Sequence, residues 1–233
     1  MKLLTKLLFT AAALLFINTA FAETQNRHLT GFNAIQLSGS YDVYITQGAT
    51  ESVNVEAPAN VIDKIITEVQ GGVLKIYSRN ENGWGNWFGS NKKMAIYINA
   101  KDINSIGVSG SGDVFFKDGI TTNSLKIRIS GSGDVLGKVH VKNFEAGVSG
   151  SGDLKVSGRA DYSNITVSGS GDVSAHDLAT GTSIVHVSGS GDATVYASEK
   201  IDASVSGSGD IRYAGSPKQV STSTHGSGDI HRM

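Results

Sequence analysis

The chain has 233 residues, 39% of them hydrophobic, with 29 glycines, two prolines and no cysteine. Twenty basic residues stand against 21 acidic ones, a balance that gives no reason to expect a nucleic-acid partner. The missing cysteine excludes disulfide staples, thiol chemistry and Cys-ligated metals, and the apolar residues recurring throughout set the chain apart from disordered glycine-rich sequences.

Lys2 and Lys6 precede an apolar run from Leu7 to Ile17 and a small-residue site, Ala20-Phe21-Ala22. This reads as a secretory signal peptide over residues 1–22, so the protein is expected to be exported to the periplasm, the cell surface or the medium. No later stretch approaches the roughly 20 apolar residues of a spanning helix, and no transmembrane segment is expected. Loss of the leader removes two lysines and no acid, leaving 18 basic against 21 acidic residues and a formal charge of −3.

Residues 23–105 read as a less regular, β-rich region. Ala34-Ile35-Gln36-Leu37, Tyr41-Asp42-Val43-Tyr44-Ile45, Ser52-Val53-Asn54-Val55 and Val73-Leu74-Lys75-Ile76-Tyr77 alternate as strands do. Asn60 is placed to cap one short helix with the stripe Val61, Ile62, Ile65 and Ile66, ended by Gly71-Gly72. Both tryptophans lie in Asn82-Gly83-Trp84-Gly85-Asn86-Trp87-Phe88-Gly89-Ser90, too glycine-rich for a regular element. Trp84, Trp87 and Phe88 are the candidate ligand-contact residues, since exposed aromatics stack on sugar rings or enter a membrane interface; alternatively they plug an open end of the core.

Residues 106–233 carry the tetrad GSGD seven times, with aspartates at Asp113, Asp134, Asp153, Asp172, Asp192, Asp210 and Asp229, at gaps of 21, 19, 19, 20, 18 and 19. A period so steady marks one structural unit stacked along an axis. Residues seven and five before each aspartate are usually apolar, as in Ile127 and Ile129 or Val185 and Val187, and so are those one and three after it, as in Leu154 and Val156. All these offsets are odd, so in extended chain they share one face with both tetrad glycines, while the serines and aspartate share the other. Successive strands in one direction with no room for a crossover helix require a parallel β-helix with coils of about 19 residues. An antiparallel hairpin array would need turn signals in every return segment, and only Asp118-Gly119 supplies one. Two readings of the tetrad stay open: an extended strand, or a tight corner whose glycines take positive φ and break the strand parity. Ser38-Gly39-Ser40-Tyr41-Asp42 looks like a degenerate first copy.

Gly31-Phe32-Asn33-Ala34-Ile35 to Ile45-Thr46-Gln47-Gly48, Glu68-Val69 with Leu74-Lys75-Ile76, the serial SGSGD copies and Ile211-Arg212-Tyr213-Ala214-Gly215-Ser216-Pro217 resemble the bacterial head GIN domain family of auto-transporter adhesins. The resemblance spans nearly the whole chain after the leader. It implies an exported β-helical protein and offers no catalytic residues to carry over.

The seven aspartates are the candidate metal ligands. Stacked carboxylates about 4.8 Å apart repel by roughly 1 kcal/mol in water, and a row of carboxylates, serine hydroxyls and carbonyls is a hard-oxygen environment suited to Ca²⁺. The alternative is that each aspartate accepts hydrogen bonds from serine hydroxyls or backbone N–H groups of the next coil. The six histidines form no metal-binding spacing, and His140 and His186 alternate with valines and should face solvent. A repeated Ser-Asp pair without a uniquely placed histidine is no triad, and no cofactor is implied. The expectation is a non-catalytic binding or adhesion protein of the cell envelope, with a glycan, an envelope polymer or another protein as partner. A polysaccharide-active enzyme and a self-associating structural protein are the alternatives.

Overall fold

The computed structural model describes residues 22–79 and 94–233. The expected leader, apart from Ala22, and the aromatic residues Trp84, Trp87 and Phe88 lie outside the described residues. The expected parallel β-solenoid is present.

The first strands are β1 (Ala22–Asn26), β2 (Ala34–Gly39), β3 (Asp42–Gln47), β4 (Ser52–Pro58), β5 (Ile65–Gln70), β6 (Val73–Ser78) and β7 (Ala95–Ala100). The repeat region continues with β8 (Ser105–Gly110), β9 (Val114–Phe116), β10 (Ile120–Gly131), β11 (Val135–Gly150), β12 (Leu154–Gly169) and β13 (Val173–Ala175). It ends with β14 (Leu178–Gly189), β15 (Ala193–Tyr196), β16 (Lys200–Gly207), β17 (Ile211–Ala214), β18 (Gln219–Gly226) and β19 (Ile230–Arg232). Among the described residues, all 19 strands belong to one hydrogen-bonded sheet that winds around the core.

Each GSGD rung has one strand before the tetrad and one after it, and in the inner rungs each pairs in parallel with its counterparts above and below. Val167 on β12 faces Val148 on β11 and Val187 on β14, and Leu154 on β12 faces Val135 on β11 and Val173 on β13. The return path is strand too. Val139 on β11 pairs with Ile120 on β10 and Gly158 on β12, which gives the middle coils a third face.

The degenerate copy is a true rung. Gly39 lies in register with Gly110, so β2 and β3 stack directly on β8 and β9. Their other neighbours are β6 and β7, so the first rung in space is built from later residues than the second. Antiparallel strands close this end, with β5 on β6, β4 on β7 and β1 on β4.

The helix expected after Asn60 is reduced to one 3₁₀ turn, Ile62–Lys64, with no side-chain cap. Ile65 and Ile66 open β5 instead, because this β-branched stretch pairs with β6, and each strand covers the other's edge. Gly71 and Gly72, at φ 59° and 78°, form the two-residue hairpin turn between Gln70 and Val73.

The core is a column of apolar side chains. Ile127, Ile129, Ala146, Val148, Ile165, Val167, Val185, Val187, Ala203 and Val205 are all buried to 2% or less. Burying each Val or Ile contributes roughly 1.5–3 kcal/mol before its entropy cost. In the last rung these two inward positions become Thr222 and Thr224, in register with Ala203 and Val205, and both are exposed.

Candidate functional site

The GSGD tetrads form corners. Strands stop at the first glycine and resume after the aspartate, and the first glycines of the seven copies have φ between 130° and 151°. The inside-outside alternation nevertheless runs through the corner. Gly112 is buried between Val108 and Val114, while Ser109 and Ser111 are exposed. The corner reading of the backbone and the strand parity therefore hold together. A Cβ on the second glycine would meet backbone: at Gly171 it would lie 2.1 Å from the carbonyl oxygen of Gly152. Stacked corners come this close because the second tetrad glycine has no side chain to meet the neighbouring carbonyl.

Such close stacking changes the hydrogen bonding. The carbonyl of Gly150 accepts the N–H groups of both Ser170 and Gly171, each at 2.9 Å, and the other tetrads repeat the pattern. That leaves the aspartate N–H, which donates to the carboxylate of the preceding aspartate. The bonds from Asp134 to Asp113, Asp153 to Asp134, Asp172 to Asp153, Asp192 to Asp172, Asp210 to Asp192 and Asp229 to Asp210 measure 2.8–2.9 Å, always on Oδ1. The aspartate carbonyls are taken in turn, as where Leu154 N–H donates to Asp172 at 2.9 Å. Aspartate suits the position because it is short and, when ionised, only accepts.

The aspartates thus stand in one line at the solenoid edge, as the period requires. Arg212 is the one basic residue, among those described, that pairs with the line, its guanidinium lying 3.3 Å from Asp192 Oδ2 and 3.1 Å from Asp210 Oδ2. Among the described residues no group of three or more His, Asp or Glu is gathered as a metal cage would need. A calcium ion between adjacent rungs of this line would have to use carboxylates of which all but Asp229 already accept a backbone N–H on Oδ1.

Tyr41 occupies the place of the second tetrad glycine in the β2–β3 rung. A Cβ on Gly112 would lie 2.3 Å from its carbonyl oxygen. Its ring is 3% exposed, its hydroxyl bonds Ser78 Oγ, and burial holds its phenol above the ordinary range. A ring fits here because β6 and β7 below are not joined by a four-residue tetrad. Asp42 N–H donates to Met94 O at 3.1 Å and Arg79 N–H to Lys64 O at 3.0 Å.

On the outer face after the corner, Tyr44 stacks between Tyr97 and Phe115, at centroid separations of 5.3 and 5.1 Å and interplanar angles of 17° and 16°. Lys117 Nζ lies 5.5 and 5.4 Å from the centroids of the two tyrosines, a cation–π arrangement. No local sequence pattern marks this ladder. Each aromatic sits at an outward strand position, but the rung order that stacks them is not sequential. His140 and His186 do face solvent, and His186 Nδ1 lies 2.6 Å from Ser204 Oγ.

Comparison with known proteins agrees with this geometry. The model of the family "Putative auto-transporter adhesin, head GIN domain" matches residues 31–217. The chain is similar to the crystal structure of a putative adhesin from Bacteroides fragilis, at 30% identity over 91% of this chain and 97% of that one, with a TM-score of 0.86. It is also similar to a putative lipid binding protein from Parabacteroides distasonis, at 27% identity over 92% and 98% of the two chains, with a TM-score of 0.74. A second P. distasonis structure, a putative adhesin, shares the fold at 22% identity over 92% and 98%, with a TM-score of 0.75. A search of the curated proteins found no match. On the family match and the shared solenoid, the chain belongs to the auto-transporter adhesin head GIN domain family.

Proposed function

We propose that this is an exported, non-catalytic, adhesin-like module of the cell envelope that holds a glycan, an envelope polymer or a protein on its outer surface. The observation that carries the reading is the alignment of outward side chains in columns along the axis. Tyr97, Tyr44 and Phe115 form one column, Thr121, His140 and Arg159 another, and the aspartates a third. A linear partner laid along the axis meets a new side chain at every step of about 4.8 Å, on a platform held rigid by its ladder. The family and the B. fragilis adhesin support the same reading, and the leader-like residues 1–22 support export. Trp84, Trp87 and Phe88 are the proposed contact residues.

The experiment is binding of residues 23–233 to a broad panel of glycans and envelope polymers, beside a folded Trp84→Ala/Trp87→Ala variant. Selective binding supports the reading, and its loss in the variant assigns the contact to the tryptophans. No binding by either protein, with a mass that rises with concentration, would move the assignment to self-association.

A further inference from the structure

Away from the aspartate corner, the third face of β10, β11 and β12 carries an open groove of about 500 Å³, within the range of about 300–1,000 Å³ typical of small-ligand sites. Five ionisable side chains converge on it: Asp102, His140, Lys142, Arg159 and Asp161, with Asn123 beside them. The register explains the gathering. His140 pairs with Arg159, so the two outward side chains sit one rung apart. Lys142 and Asp161 follow His140 and Arg159 by two residues, so all four share the outward face of their strands and line the groove.

None of the five pairs with another. Among the described residues the ion pairs lie elsewhere, on Glu145, Asp177 and Arg212. Charged groups that line one concavity without neutralising each other leave their hydrogen-bonding capacity open to a ligand. Arg159 offers a planar fork that matches a carboxylate, and Lys142 adds a point charge. Asp102 and Asp161 accept hydroxyl protons but repel a ligand that is anionic all over, which disfavours a bare phosphate or a nucleic acid. An apolar peptide is disfavoured too, since the valine in the lining is only 7% exposed. The chemistry left is a ring rich in hydroxyls that carries one negative group.

We infer that this groove binds an acidic sugar unit, its carboxylate held by Arg159 and Lys142 and its hydroxyls by Asp102, Asn123 and Asp161. The inference rests on the adhesin-like reading and names a ligand class and a place for it. A uronate polymer and a glycan ending in a sialic acid both present this chemistry.

The test is calorimetric titration of the full chain with trigalacturonate and with sialyllactose, each beside its methyl ester, together with amide chemical shifts. At least one free acid should bind and shift Thr121, His140 and Arg159, and its ester should bind roughly tenfold more weakly, as expected for loss of charge-assisted hydrogen bonds. The Arg159→Gln/Lys142→Gln variant should show the same loss while melting like the parent, and Asp161→Asn should bind as tightly or tighter. Which acid binds identifies the source. Equal binding of acid and ester, or undiminished binding by the double variant, overturns the groove assignment. If that variant still recognises glycans on a broad panel, the groove falls and the adhesin-like reading stands; if neither protein recognises any glycan, the groove falls and the adhesin-like reading is left to a protein or a non-glycan envelope polymer as partner.

Discussion

The backbone N–H of Asp172 donates to Oδ1 of Asp153, one rung away, at 2.8 Å. The same bond recurs along the edge because each tetrad's first glycine carbonyl already accepts two N–H groups, leaving the third corner N–H to the side chain. Asp153→Ala removes that acceptor and should cost about 1–3 kcal/mol in urea unfolding, whereas Asp153→Asn keeps a side-chain carbonyl and should cost less. Equal losses in the two variants would show that charge, and not the hydrogen bond, matters at this position.

Calcium on the aspartate line is a separate proposal with its own measurement. An ion seated between carboxylates one rung apart relieves their repulsion, so calcium should raise the thermal midpoint and a chelator should reverse it. Asp153→Asn with Asp172→Asn should blunt the response. A melting curve indifferent to calcium and chelator ends the idea.

The second tetrad glycines admit no side chain. A Cβ at Gly171 would lie 2.1 Å from Gly152 O, whereas one at Gly48 would meet nothing within 4 Å. Gly171→Ala should destabilise by about 3 kcal/mol or prevent folding, because the obstacle is backbone held by the ladder, while Gly48→Ala should stay within about 0.5 kcal/mol of the parent. Similar stability of the two variants would refute the close-stacked corner.

Tyr41 makes stability depend on alkaline pH. Burial raises its phenol pKa above the ordinary value of about 10. The folded chain therefore disfavours the phenolate, and this contribution is fully present below the unfolded pKa and lost as pH rises through the folded one. Stability should fall above about pH 10. Tyr41→Phe should lessen that fall while losing roughly 0.5–1.5 kcal/mol at neutral pH with the bond to Ser78. An unchanged alkaline slope in Tyr41→Phe would place the titration elsewhere.

Glu145 offers the contrasting case. Hydrogen bonding by Lys126 and the nearby charges of Lys126 and Arg128 lower its pKa, but these side chains are 42–51% exposed. The stability it adds is present above the unfolded pKa and lost as pH falls through the folded one, and solvent screening keeps it small. Glu145→Gln should change stability by less than about 1 kcal/mol, and less again in high salt.

The residue pattern alone specifies the solenoid, its period, its direction and the face of nearly every repeat residue. A side-chain period of two and a coil period near 19 leave few other arrangements for Ile127, Ile129, Ile165 and Val167. It also placed the seven aspartates on one line and offered backbone N–H acceptance as one of their two roles. The remaining features depend on pairing between distant strands. Ile65 and Ile66 satisfy a helical stripe and a β-branched strand equally well, and the partner β6 settles the choice. The chain builds its second rung before its first, so Tyr44 meets Tyr97 and Phe115 through a register that no local pattern encodes. The groove has the same origin, since Thr121, His140 and Arg159 come from three successive passes of the chain and become neighbours only when the rungs close on one another.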